Sequence, residues 1–184
     1  MSKLLTSKSL FFAFFLISFL FSQHFNIQIS ETGESTLFIF DESIQGFEEG
    51  DEFGLFDTNG IVDDQGNLGE ILVGAGTWTG SQLTVTTIQA VDLSEFGGPI
   101  LPGANGGNTM SLKVWKNAEQ MEYDAVYSTS SGNGSFNGLF TAINAIELVE
   151  ADPPHFTVEI AETGESTLFL FVDSINLDIG DEVG

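Results

Sequence analysis

Hydrophobic and polar residues alternate with a period of two along much of this sequence, which is typical of β-strands. Between Phe25 and Ile29 every second residue is apolar, so residues 25–29 are predicted to form a strand with one buried face. The stretch Thr36–Phe40 carries apolar residues on both faces, which predicts a central, buried strand. The ETGES stretch between them is predicted to be a turn, because Gly33 can adopt a positive φ.

Six further apolar runs follow, and the turn-forming stretches DTNG, DDQGN, TGSQ, FGGPILPGANGGN and SSGNGS separate them. The runs are Glu52–Asp57, Ile71–Ala75, Leu83–Val91, Met110–Lys116, Met121–Ser128 and Phe136–Val149. Short strands at this spacing, with no sustained 3.6-residue period, predict an all-β fold, an antiparallel β-sandwich of immunoglobulin-like or jelly-roll-like type. A short helix is the alternative for Phe140–Leu148, where a strand is preferred.

The sequence contains a long internal repeat. The stretch HFNIQISETGESTLFIF (His24–Phe40) recurs as HFTVEIAETGESTLFLF (His155–Phe171), with 12 of 17 positions identical. Farther on, GDEFG at Gly50–Gly54 recurs as GDEVG at Gly180–Gly184. A period of about 130 residues fits a whole domain rather than one turn of a solenoid. The repeat therefore predicts tandem modules, of which the second is truncated.

The beginning of the chain has the pattern of a secretory signal. Lys3 and Lys8 precede the apolar run Leu10–Phe21, which is shorter than the roughly 20 residues that cross a membrane. The chain is therefore predicted to have four parts: a signal peptide (1–22), a first β-sandwich module (23–149), a proline-containing linker (150–154) and the start of a second, truncated module (155–184). The protein is accordingly expected to be secreted or on the cell surface.

The charge of the chain limits the kinds of partner that it can bind. It has 27 acidic residues, no arginine and four lysines, two of which lie in the predicted signal, so the remainder carries a net charge near −25. Such a surface repels nucleic acid and anionic membrane, and it suits either a saline environment or the binding of divalent cations. The chain has no cysteine, which excludes disulfide bonds and a cysteine-linked lipid anchor.

Oxygen-bearing side chains are dense between Gly50 and Asn67, which makes calcium the candidate cofactor. The spacing does not fit an EF-hand, because position 12 counted from Asp63 is Gly74. The alternative interpretation is two hairpin turns, with Asn59-Gly60 as a type I′ pair. The candidate metal ligands are Asp51, Asp57, Asn59, Asp63 and Asp64.

The GDEFG motif is interpreted as scaffold. Gly50 and Gly54 are expected to allow a tight turn into a strand, with Phe53 and Phe56 as core anchors. Repeated domains share first of all the residues that their fold requires. Recurrence of the motif in both copies therefore favours a structural role.

Two tryptophans are candidate sugar contacts, because exposed aromatic rings stack on sugars. Trp78 and Trp115 have core or edge packing as the alternative, and the neighbouring lysines are expected to lie over the face that carries Trp115. His24 and His155 precede equivalent strands and are expected to be linker contacts. Each copy holds one histidine and Ser35 lacks the second glycine of a nucleophile elbow, so no catalytic residue is assigned and no enzyme is predicted.

The motifs GDEFGLFDTNG, VGAGTWTG and SLKVWK resemble uncharacterised β-sandwich repeats of large secreted bacterial proteins, which often carry a type IX secretion sorting tail. The insertion Asp63–Glu70 departs from that pattern. The resemblance implies an exported surface or extracellular protein, often with several modules, and it does not imply an enzyme. The chain is therefore predicted to be a non-catalytic extracellular repeat module of a cell-surface or secreted adhesin or structural array. Its expected partners are neighbouring modules, extracellular glycans or other surface proteins. The alternative function is a carbohydrate-binding module attached to a downstream secreted enzyme.

Overall fold

The computed structural model describes residues 23–149. The predicted signal peptide, the linker and the second copy, including His155, lie outside the described residues. The strands are β1 (Ser35–Phe40), β2 (Glu52–Ile61), β3 (Leu68–Thr77), β4 (Leu83–Ile88), β5 (Val91–Asp92), β6 (Ile100–Leu101), β7 (Ser111–Lys116), β8 (Met121–Ser131) and β9 (Phe140–Leu148). One 3₁₀ turn, Ser94–Phe96, lies between β5 and β6.

The fold is all-β, as predicted. Seven strands form one sheet in the order β3-β2-β7-β8-β9-β1-β4, and β5 pairs with β6 in a small second sheet. Neighbouring strands of the large sheet are antiparallel except β1 and β9, which run parallel. The prediction of a purely antiparallel arrangement is therefore wrong for this one pair, because the last strand of the module returns beside the first in the same direction.

The two edge strands of the large sheet, β3 and β4, pack against each other, so the sheet nearly closes into a barrel. The contact between β3 and β4, called the seam below, depends on two glycines. A Cβ at Gly74 would lie 2.8 Å from Thr87 Cγ2, and a Cβ at Gly76 would lie 2.9 Å from Val85 Cγ2. The seam is therefore close because β3 has no side chains at these positions.

The space inside the curved sheet is filled by one hydrophobic core rich in phenylalanine. The Phe53 ring lies at its centre, with ring centroids 5.0 Å from Phe40, 5.1 Å from Phe47 and 5.6 Å from Trp78. The fully buried large apolar side chains are Phe38, Phe40, Phe53, Phe136, Leu55, Met110, Leu112, Ile143, Val73 and Val114. Burial of a side chain of this size stabilises the fold by about 1.5–3 kcal/mol, so the core can hold the sheet together without disulfide bonds.

The segment predicted as the first strand is not a strand. The chain bends at Phe25 and at Ile29, and the backbone N–H groups of His24 and Phe25 donate to the Glu52 carboxylate rather than to a neighbouring strand. Phe25 is buried and Ile27 and Ile29 are half-buried, whereas the residues between them are exposed. The alternation of polar and apolar residues therefore reflects a segment that packs on the sheet with one side, and a paired strand shows the same alternation.

The expected type I′ turn at Asn59-Gly60 is also wrong. Both residues lie within β2, at an irregularity in its pairing with β3 between Asp57 and Gly60. The chain reverses instead at residues 62–67, where the DDQGN stretch lies. At Phe140–Leu148 the strand interpretation is confirmed, whereas the predicted run Leu83–Val91 is interrupted after Ile88.

Adding one methyl group at the seam tests how closely β3 and β4 pack against each other. The Gly74→Ala variant is expected to lower the free energy of unfolding by about 1–3 kcal/mol, because overpacking forces neighbouring groups apart. The double variant G74A/T87S removes the Cγ2 atom that the new Cβ would meet and should recover part of the loss, while the serine hydroxyl can keep the bond that Thr87 Oγ1 donates to the Thr36 carbonyl. Urea unfolding measures both, and equal stability of G74A and the unchanged chain would contradict a close seam.

Candidate functional site

The residues His24–Glu34, called the strap below, lie against the outer surface of the sheet. The N–H of His24 donates to both oxygens of the Glu52 carboxylate at 3.0 Å, and the N–H of Phe25 donates to one of them at 3.1 Å. The Phe25 ring lies over Gly54, where an added Cβ would come within 2.7 Å of the ring. Gly54 is therefore needed in mid-strand to admit the strap, rather than for the predicted turn, whereas Gly50 does have a positive φ of 99°.

The strap covers one face of Trp115. The His24 ring stacks on the indole with centroids 3.9 Å apart and planes 6° apart, and its Nε2 lies 2.8 Å from a Glu122 carboxylate oxygen. His24 is therefore part of the module rather than a contact of a linker. A sugar could stack on this face of Trp115 only after His24 had moved away.

The other end of the strap reaches β4. Ile27 lines a cleft of about 280 Å³ together with the ETGES turn and residues 86–88. Thr32 Oγ1 donates to the Gln89 carbonyl at 2.6 Å, and the Gln89 N–H donates to the Glu34 carbonyl at 3.0 Å. Because Phe25 contacts β2 and Ile27 lies beside β4, the strap joins the strands on the two sides of β3.

One lysine lies near this surface among several acids. Lys113 Nζ is 2.9 Å from a Glu70 oxygen and 4.9 Å from the centroid of the Phe56 ring. Burial lowers the pKa of Lys113, but the hydrogen bond to Glu70 and the charges of Glu70, Glu122 and Asp124 outweigh it, so the pKa is raised overall. The expectation that both neighbouring lysines lie over the face of Trp115 is wrong, because Lys116 is buried on the opposite face.

Asp51, the first candidate metal ligand, forms a buried ion pair with Lys116. Lys116 Nζ lies 2.6 Å from Asp51 Oδ2, and it also donates to the Gly46 carbonyl at 3.0 Å. The Asp51 carboxylate accepts the N–H groups of Glu48 and Asn117 as well. This arrangement fastens the loop before β2 to the end of β7, so the predicted structural role of the GDEFG motif agrees with the structure. Phe53 is a core anchor as predicted, but the prediction for Phe56 is wrong, because its ring is half-buried and packs against Phe25 beneath the strap.

Asp57, the second candidate, is a buried carboxylate that holds a loop. It accepts bonds from the N–H of Asn59, the N–H of Asn105 and the side-chain amide of Asn108, at 2.8–3.0 Å. Asn105 Nδ2 in turn donates to the Asn59 carbonyl at 2.7 Å. The loop that contains Asn105 and Asn108 is thereby fixed to β2.

Asp63 and Asp64 lie in the turn between β2 and β3. Asp63 accepts bonds from the Asn67 side chain and from the N–H groups of Asn67 and Gln65, and the Asn67 bonds hold its pKa below the usual range. Asp64 contacts the side chain of Gln65. Both carboxylates therefore have local partners that stabilise the turn.

The candidate calcium ligands do not converge on one point. Asp51 immediately precedes β2, Asp57 and Asn59 lie within that strand, and Asp63 and Asp64 lie in the turn that follows it. Within residues 23–149, no three acidic, histidine or cysteine side chains are grouped so that they could hold a metal ion.

Trp78 lies in the core rather than at a binding surface. Its side chain is 2 % exposed and its ring stacks on Phe53. The backbone of Trp78 exchanges two hydrogen bonds with the loop before β2, through the Asp51 carbonyl and the Gly50 N–H. The predicted sugar contact at Trp78 is therefore wrong in the folded chain, and its alternative, core packing, is correct.

Tyr127 makes the stability of the module depend on pH in the alkaline range. Its hydroxyl donates to the Met110 carbonyl at 2.9 Å, and burial raises the pKa of the phenol above its usual value near 10. A raised pKa in the folded state means that the stabilisation is complete below pH about 10 and is lost as the pH rises through the folded value. Unfolding free energies measured from pH 8 to 12 should fall less steeply for Tyr127→Phe than for the unchanged chain, and identical slopes would contradict this.

Sequence reasoning missed the strap and the ion pair as binding arrangements, although one signal pointed to them. The residues that make these contacts, His24, Phe25, Asp51 and Glu52, belong to the stretches that recur in the second copy. Their distant partners, Trp115, Lys116 and Glu122, lie in β7 and β8, beyond the reach of a local pattern.

Comparison with protein families, with curated proteins and with solved structures found no match to this chain. Within residues 23–149, no helix has the length and apolar character needed to span a bilayer.

Proposed function

We propose that this chain is a non-catalytic building module of an extracellular array, either a surface adhesin or a structural coat. The observation that carries the proposal is the use made of the repeated residues. His24, Phe25 and Glu52 fasten the strap to the sheet, and Asp51 forms the buried pair with Lys116. A chain that repeats the residues of its scaffold repeats a building unit, which is the requirement of an array.

The positions at which the chain enters and leaves the module also bear on how modules would be joined. His24 binds Glu122, and the N–H of Val149 donates to the carbonyl of Asp124, two residues farther along β8. The chain therefore enters and leaves the described module at the same corner. A following module would therefore be attached to this corner of the first.

The acidic surface supports the extracellular part of the proposal. With no arginine and few lysines, such modules repel one another and remain soluble where salt screens their charge. The exported repeats that the motifs resemble are consistent with this location.

Surface labelling of intact source cells tests the proposed location and organisation. An antibody against the folded module should bind intact cells or the culture medium, and mass spectrometry of the exported chain should find a new N-terminus near Gln23. Mild protease treatment should release a folded fragment that ends near Glu150. An uncleaved chain confined to the cell interior would contradict the proposal.

A further inference from the structure

The two copies of the strap differ mainly at positions that are exposed to solvent in the first copy. Three of the four differences lie at exposed positions, Asn26, Gln28 and Ser30, and the fourth exchanges half-buried Ile27 for valine. The strap residues that contact the sheet are kept: His24, Phe25, Ile29 and Thr32 correspond to His155, Phe156, Ile160 and Thr163. The part of the sheet beneath the strap, formed by Glu52, Gly54, Trp115 and Glu122, is called the strap surface below. The second copy therefore keeps the side chains that contact the strap surface.

We propose that the strap surface of the first module is a docking site for the second copy of the strap, His155–Glu165 of the same chain. That segment binds when the first strap is detached. His155 then takes the place of His24 between Trp115 and Glu122, and Phe156 takes the place of Phe25 over Gly54. The N–H groups of His155 and Phe156 donate to the Glu52 carboxylate in the same way.

The end of the described chain lies close enough to the strap surface for this segment to reach it. Val149 pairs with Asp124 beside the Glu122 that binds His24. Five residues, 150–154, separate Val149 from His155, and an extended proline-containing linker spans about 3.1 Å per residue, or about 15 Å in all. Trp115 lies two strands away from β9, so the site is about 7 Å along the strands and about 10 Å across them from Val149, or about 12 Å in all. The linker can span this distance, so the same chain is the favoured source of the second strap.

The energetics also fit an exchange. Nearly identical segments make nearly identical contacts, which is the condition under which an element can be exchanged at low cost. The first strap is joined directly to β1 and holds the site through its high effective concentration. The second strap is therefore expected to bind once the anchors of the first have been removed.

The indole signals of the chain provide the test, because it contains only two tryptophans. The H24A/F25A variant weakens the first strap, H155A/F156A is its matched control, and the quadruple variant weakens both. The indole N–H resonance of Trp115 reports on the stacked histidine, and that of Trp78 reports on the intact core. Spectra are recorded for the full chain over a tenfold range of concentration.

A Trp115 resonance that stays near its original position in H24A/F25A and in the control, but moves in the quadruple variant, is the expected result. We also expect the thermal midpoint of the quadruple variant to lie about 4 °C below that of H24A/F25A, a shift between those typical of smaller and of larger domains than the module at residues 23–149. Equal displacement of Trp115 in the double and quadruple variants would overturn the proposal. So would unfolding of H24A/F25A, or recovery of the resonance only at high concentration, which would identify a second chain as the occupant.

Discussion

Replacing Lys116 by methionine is expected to lower the free energy of unfolding by about 3–5 kcal/mol, because a buried charge that loses its partner is strongly destabilising. Asp51 is 0 % exposed, and without the ammonium group its carboxylate would keep only neutral donors, the backbone N–H groups of Glu48 and Asn117. Chemical unfolding of the K116M variant measures the loss.

The other lysine of the described module is a matched control. Lys113 pairs with Glu70, whose side chain is 47 % exposed, and K113M should cost less than about 1 kcal/mol because exposed ion pairs contribute little. The double variant D51N/K116M removes both charges and should be more stable than K116M alone. Losses of similar size for K116M and K113M would show that burial does not set the strength of the Asp51–Lys116 pair.

The second large effect is expected from Asp57. The D57A variant should lower the free energy of unfolding by about 3 kcal/mol, because hydrogen bonds to a charged acceptor contribute roughly 1.5–3 kcal/mol each and the loss leaves donors on Asn105 and Asn108 without their acceptor. Relative to the unchanged chain, D57A should also speed hydrogen exchange in the loop at residues 102–108 more than in β7.

The D57N variant separates charge from shape. An asparagine keeps the size of the side chain, but its amide group would present donors to donors, so an intermediate loss is expected. If D57A leaves both the stability and the exchange of this loop unchanged, Asp57 does not hold the loop to β2.

The sequence pattern predicts the strands well where one face of the strand packs on the hydrophobic core. Thr36–Phe40, Met110–Lys116 and Met121–Ser128 agree with β1, β7 and β8 to within a few residues, because one side of each strand is filled by core side chains. The all-β fold follows from these strands. The parallel pairing of β1 with β9 does not, because it depends on contacts about a hundred residues apart along the chain.

The candidate site was harder to predict, because local composition is ambiguous. Aspartate and asparagine occur in turns, in buried hydrogen bonds and in calcium sites alike. In the structure, Asp51 pairs with a distant lysine, Asp57 holds a distant loop, and Asp63 stabilises its own turn. Trp78 and Trp115 are equally aromatic in the sequence, yet one lies in the core and the other beneath His24. Only the recurrence of HF and GDE indicated which residues build the module.

The central claim is that the repeated residues hold the module together, and native-state hydrogen exchange of the full chain tests it most directly. The amide protons of His24 and Phe25, both bound to Glu52, should exchange at rates slowed to those of the sheet amides rather than at the rates of an unfolded chain. The E52Q variant should speed the exchange of these two amides while β7 stays protected. Exchange of His24 and Phe25 at unfolded-chain rates in the unchanged protein would contradict the account.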